Sequence, residues 1–323
     1  MKTACKVLGF FLVSALVLAS GDSCAQNYPN KPVKWVTGNA AGGGTDILAR
    51  GIGAKLADRL GQPILVENRP GADGIIASEY VAKSAPDGYT LLVGTDGQMV
   101  LNRAMYAKLP YDPVADFAPV IRLSSAPLVL AVNPSVPANT IAELIALAKA
   151  KPGELFYASG APAFHVATEL FKKQAGVNIV HVRYKGAAPA QTAAVAGEVG
   201  VIMSSLGPMR AHLQAGKLRG LAVTSPKRYA IIPDIPTMAE SGLPEVDVVP
   251  WTGLFAPAGT PREVIDKLNS ELAVVLKLED LKERFGATGV TLGGSSPAEL
   301  GALQQADIAK WMRRAKDFNI RAQ

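Results

Sequence analysis

The spacing of apolar residues divides most of this chain into short strands and helices in alternation. Val33 to Thr37 is a β-type run, and after it Gly38-Asn39-Ala40-Ala41 leads into three glycines, Gly42 to Gly44. Leu48, Ile52, Leu56 and Leu60 then recur at every fourth position, which predicts a helix with one apolar face. Arg50, Lys55, Asp58 and Arg59 fall on its other faces. A strand at Ile64 to Asn68, a turn at 69–74, a helix at Ile75 to Ala82, a strand at Tyr89 to Gly94 and a helix at Gln98 to Tyr106 continue the rhythm. Such alternation is the pattern of a parallel sheet with helices on its faces.

A second series begins near Val120. Two β-type runs, Val120 to Leu123 and Leu128 to Val132, flank Pro127, and a helix is predicted from Thr140 to Ala150. Strands at 155–159, 179–184, 199–203 and 218–224 then alternate with helices at 164–174, 188–196 and 209–215. Proline and glycine thicken between Pro233 and Pro261, and three helices close the chain at 263–276, 278–285 and 297–318. Two α/β lobes joined by short connections imply a cleft between them, where small ligands commonly sit.

Composition narrows the functional classes. The chain has 323 residues, 49% of them hydrophobic, and a net charge of +6. The charge is spread along the chain and aromatics are few, which argues against a nucleic-acid surface. Residues 1–25 read as a secretory leader. Lys2 and Lys6 are followed by an apolar run from Phe10 to Ala19 and a small-x-Ala site at Ser23-Cys24-Ala25. That run is too short to span a bilayer. Lipid attachment at Cys24 is the competing reading, but Gly21 stands where such signals usually carry leucine. Both cysteines, Cys5 and Cys24, lie in the leader, so the mature chain is expected to lack disulfides and thiol chemistry.

Two turns stand out as candidate chemistry. In the first, a strand, the glycines Gly42, Gly43 and Gly44, and a helix follow one another. The N–H groups at the helix start and its dipole then offer a site for a carboxylate or phosphate. G-x-G-x-x-G and G-x-x-x-x-G-K-[ST] are both absent, so a nucleotide is not indicated. Thr45 or Asp46 would cap this helix or, in the case of Asp46, face a ligand bearing an amino or hydroxyl group. The second turn, around Ser159, Gly160 and His165, also follows a strand and opens a helix, with Pro162 in its first turn. The three histidines have no metal-ligand spacing, and G-x-S-x-G is missing. An exported esterase using Ser159 or Ser204 is the enzymatic alternative.

Ordered motifs run the length of the mature chain. They include Ala41-Gly42-Gly43-Gly44-Thr45-Asp46, Val66-Glu67-Asn68-Arg69-Pro70-Gly71-Ala72, Pro86-Asp87-Gly88-Tyr89-Thr90, Leu109-Pro110-Tyr111-Asp112-Pro113, the stretch from His181 to Gly186, and the stretch from Trp251 to Pro261. Together they resemble the Bug family, the extracytoplasmic solute-binding proteins of tripartite tricarboxylate transporters. The resemblance implies an α/β, two-lobed periplasmic binding protein of the type II, Venus-flytrap class, with its chain crossing between lobes. Lobe one would be 26–126 with 248–323, and lobe two 127–247.

The resemblance further implies a periplasmic, monomeric, non-enzymatic protein without cofactor or metal. Its ligand would be a small carboxylate: a di- or tricarboxylate, an amino acid or an aromatic acid. The expected partners are transporter subunits or, alternatively, a sensor kinase. Gly42, Gly43, Gly44, Thr45 and Asp46 are expected to meet the ligand from lobe one, and Ser159, Gly160, His165, Tyr184 and Lys185 from lobe two. Three second-lobe positions depart from the family pattern. The Ser159-to-Ala163 turn is shorter, Arg183 replaces a proline, and Ser204 replaces a frequent aspartate.

Overall fold

The computed structural model describes residues 28–318 except Ala230, so the expected leader lies outside the described residues. The first unit begins with β1 (Val33–Thr37), α1 (Gly44–Leu60), β2 (Ile64–Asn68), α2 (Ile75–Ala82) and β3 (Thr90–Thr95). Helix α1 buries Leu48, Ile52 and Leu56 as its four-residue spacing requires, and Gly61 ends it at φ +66°. After β3 the chain winds through a π-turn at Gly97–Leu101 and α3 (Asn102–Met105), in place of the single helix expected from Gln98 to Tyr106. It then runs along β4 (Phe117–Ser125).

The second unit holds β5 (Leu128–Val132), α4 (Ile141–Ala150), β6 (Phe156–Ser159), α5 (Pro162–Ala175), β7 (Val180–Arg183), α6 (Ala187–Ala196), β8 (Val201–Ser205), α7 (Leu206–Gln214) and β9 (Arg219–Val223). The chain returns as β10 (Trp251–Pro257) and closes with α8 (Arg262–Val275), α9 (Glu279–Gly286), the two-residue β11 (Thr291–Leu292) and α10 (Pro297–Phe318). The pattern of alternation gave no sign of β11, which is too short to carry one.

Two separate sheets result. The first has six strands in the order β11-β4-β10-β3-β1-β2, and the second has five in the order β7-β6-β8-β5-β9. β1 pairs in parallel with β2 and β3, whereas β10 runs antiparallel between β3 and β4. In the second sheet β6 is parallel to both β7 and β8, and β5 is antiparallel to β8 and β9. β5 is buried along its whole length, consistent with its unbroken apolar run.

The chain passes between sheets at 125–128 and again before Trp251. These crossings are tied together, with the Ala126 N–H donating to the Pro250 carbonyl at 3.0 Å and the Thr224 hydroxyl to the Val248 carbonyl. One apolar cluster extends from Leu92 and Phe255 through Trp251 to Leu130 and Tyr157, so the two sheets share core at the crossing. Among the described residues no helix is long and apolar enough to cross a membrane.

Candidate functional site

The first glycine turn is held by Asp46 rather than capped by it. Gly43 is the N-cap residue of α1, extended at φ −73°, and makes no side-chain cap bond. Asp46, two residues into the helix beyond Gly44, reaches back so that Oδ2 accepts the Gly42 N–H at 2.9 Å. Its carboxylate also accepts from Arg50 Nε at 3.0 Å and from Asn68 Nδ2 at 2.9 Å. Burial favours the neutral acid here, but these bonds outweigh it and hold the carboxyl below its usual range. The sequence expectation that Thr45 or Asp46 caps the helix is therefore corrected. Asp46 is 3% exposed and committed to its own turn, while Thr45 is half-buried beside it.

Of the three glycines, only Gly42 uses the left-handed region, at φ +78°. A Cβ built on Gly42 or Gly44 would meet nothing within 4 Å, so open space lies in front of the turn. With no side chain on the N-cap, the start of α1 faces that space with a positive dipole end and free capping capacity.

Next to this turn lies a constellation that sequence reasoning missed. A side chain at Gly38 would overlap the Cα of Gly74 and the amide of Gln98. Gln98 is 2% exposed, donates to the Gly74 carbonyl at 3.1 Å and accepts from the Thr95 N–H at 3.1 Å. It ties together the turns that follow β1, β2 and β3. Its place in an apolar helical run was the available signal, because a buried amide there requires partners. The turn after β2 is itself unusual: Gly71, Ala72, Asp73 and Gly74 all have positive φ, at +129°, +45°, +53° and +82°.

In the second unit the turn after β6 packs on the turn after β7. The Tyr184 N–H donates to the Ser159 carbonyl at 2.9 Å, and the backbone of Gly186, at φ +120°, occupies the place where a Gly160 side chain would start. Behind these turns lies a stacked polar cluster. Ser159 Oγ is 2.6 Å from His181 Nε2, and the His181 ring stacks against both Tyr157 and His165, with centroids 4.8 and 4.4 Å away. The Tyr157 hydroxyl donates to Glu169 at 2.8 Å and also lies 2.8 Å from His165 Nδ1. Its single proton goes to Glu169, so His165 must donate from Nδ1. Burial and the adjacent His181 push the His165 pKa down to about 4, and it is neutral near pH 7.

The structure therefore brings Ser159, Gly160 and Tyr184 into one pair of turns, with His165 as support behind them, while Lys185 is exposed. Gly42 to Asp46 form the other turn, on the other sheet. Ser204, the alternative esterase serine, is 1% exposed and accepts from Gln191 at 2.9 Å. No cluster of three or more metal-ligating side chains occurs among the described residues. The units touch where Arg183 meets Asp73 at 3.1 Å and where Pro162 approaches Gly97.

Comparison with known proteins agrees with this architecture. Residues 48–320 match the Tripartite tricarboxylate transporter family receptor. Protein BugT of Bordetella pertussis is 35% identical over 308 residues, covering 94% of this chain and 94% of BugT. A Rhodopseudomonas palustris protein solved with adipate superposes at TM-score 0.87 with 39% identity, covering 91% of this chain and 99% of that one. MatC of R. palustris, solved with malate, superposes at 0.83 with 33% identity, covering 88% and 99%. The matching proteins are solute-binding receptors rather than enzymes. The chain belongs to the tripartite tricarboxylate transporter receptor family, the periplasmic solute-binding proteins that include the Bug proteins.

Proposed function

We propose that this protein captures a small organic carboxylate between its two lobes and passes it to the membrane subunits of a tripartite tricarboxylate-type transporter. The observation that carries this reading is the start of α1, where Gly43 leaves the helix uncapped and open space lies before Gly42 and Gly44. A carboxylate there would accept backbone N–H bonds and complement the helix dipole. The second anchor is the pair of turns at 159–163 and 184–187, which approach each other closely enough to exclude any side chain at Gly160. Relatives solved with adipate and malate support a dicarboxylate as the ligand class.

The test is a melting-temperature screen of the mature protein against malate, adipate, succinate and their monocarboxylate counterparts. A ligand at about 100 times its dissociation constant adds roughly 2.7 kcal/mol to stability. For a chain of this size that is a shift of several degrees. A dicarboxylate is expected to produce it; a flat response across the whole series would refute the reading.

A further inference from the structure

Arg183 ends β7, the edge strand of the second sheet, and its guanidinium donates to both carboxylate oxygens of Asp73, at 3.1 and 3.4 Å. Asp73 lies in the turn that follows β2, the edge strand of the first sheet. This ion pair therefore joins the two sheets at edges remote from the crossing strands β4, β5 and β10. We propose that Asp73 and Arg183 form a charge latch that holds the lobes together, and that Arg183 is in this way a positioning residue for ligand capture.

The two partners are unequally prepared. Asp73 sits at φ +53° directly after Ala72 at φ +45°, a backbone region that costs L-residues energy and that aspartate tolerates better than most. Several bonds hold it there. The Gly74 N–H donates to the Gly71 carbonyl, Asn102 donates to the Asp73 carbonyl at 3.2 Å, and the Tyr106 hydroxyl donates to the Asp73 carboxylate at 2.5 Å. Backbone strain of this kind persists only where its surroundings fix it, and it gathers at clamps and switches. The Asp73 side chain is 19% exposed and that of Arg183 is 49% exposed, so the carboxylate is the fixed half and the guanidinium the half that arrives.

Leverage favours a latch at this position. β7 is three strand spacings from β5, or roughly 14 Å. An opening of about 15° around the crossing strands would separate the pair by roughly 4 Å, enough to break it. The latch thus engages only when the lobes approach. A ligand that contacts both lobes makes its full set of contacts only when they are closed, so its apparent affinity falls as the closed fraction falls.

Closure can be measured without any ligand. Since the expected mature chain has no cysteine, spin labels at Lys83→Cys and Lys173→Cys report one exposed position on each lobe by pulsed electron resonance. The wild-type protein at low salt should give a predominant short distance that lengthens as NaCl is raised to about 1 M, where screening weakens half-exposed pairs. Arg183→Ala and Asp73→Asn, the latter keeping a residue that tolerates the left-handed region, should start from the longer distance and ignore salt. Arg183→Lys should restore most of the short population. An Arg183→Ala distribution identical to wild type, or a wild-type distribution indifferent to salt, overturns the latch.

The affinity arm rests on the carboxylate reading. If malate binds, Arg183→Ala should weaken it by the factor by which the closed fraction falls. If malate does not bind the wild type, that reading fails for malate while the distance measurement still decides the latch.

Discussion

The backbone of Gly186 stands where a side chain at Gly160 would begin. The two turns that carry these residues are consequently one object, and neither can shift without the other. Gly160→Ala is expected to force them apart, at a cost of about 1–3 kcal/mol for overpacking a site with no room. Differential scanning calorimetry should show a fall of several degrees together with loss of any dicarboxylate-induced shift. An Ala variant that melts and binds like wild type would show that the turns are independent.

Gly44→Ala makes the opposite demand. Its Cβ meets nothing within 4 Å, and alanine is the better helix former, so the ligand-free protein should melt at or slightly above the wild-type temperature. The dicarboxylate-induced shift should nevertheless shrink to a small fraction, because the added methyl enters the space assigned to the ligand. A full shift retained by this variant would move the carboxylate site away from α1.

Asp46→Asn tests the lock on the first turn. The folded-state pKa of Asp46 is depressed, so its contribution is fully present above the unfolded value near 3.8 and is lost as pH falls through the folded one. Removing the charge should cost roughly 2–3 kcal/mol near pH 7, since Gly42, Arg50 and Asn68 all donate to it. Chemical denaturation at pH 7 and pH 3 checks this: the gap between variant and wild type should narrow at the lower pH.

His165 also loses stability on acidification, although here the fold favours the neutral rather than the charged form. Burial is the main cause of its low pKa, His181, Lys172 and Arg183 add to it, and Glu169 opposes. Between about 6.5 and about 4 the unfolded chain binds the proton and the folded protein does not, so stability falls as the solution is acidified through that window. The loss amounts to on the order of 3 kcal/mol at its lower end. His165→Asn, whose amide can replace the Nδ1 donor to Tyr157, should flatten the melting curve between pH 7 and pH 4.5. Equal slopes in both proteins would sink this account.

Processing is the simplest prediction. Removal of residues 1–25 leaves 323 − 25 = 298 residues beginning at Gln26. Intact mass of the exported protein should match that chain without any adduct. Diacylglycerol on Cys24 would contradict it.

How much of this was legible in the sequence depended on how local its cause was. Helices α2 and α10 follow their sequence boundaries because their apolar spacing and their flanking Gly74 and Pro297 are local signals. The cap of α1 was misread because the rule favours a polar side chain at the first helical residues, whereas here Asp46 serves by reaching backward to Gly42. The left-handed run at Ala72 and Asp73 was invisible, since neither residue type asks for positive φ. It is imposed by Gln98, Asn102 and Tyr106, all more than 20 residues away. Gly160 could be named as a site residue, but its need for glycine arises from Gly186, which only the paired turns reveal.

The position of β10 has a consequence for the order of events during synthesis. This strand lies between β3 and β4, yet it follows the whole second unit in the chain. The five-stranded sheet is encoded without interruption and has all its strands once Val223 has been made. The six-stranded sheet instead waits for Trp251 to Pro257 before β3 and β4 gain a common neighbour, and Val93 and Ile121 lack their partner Leu254 until then. The lobe begun first is completed last, and the sheet that α1 packs on gains β10 only after every strand of the other sheet has been made.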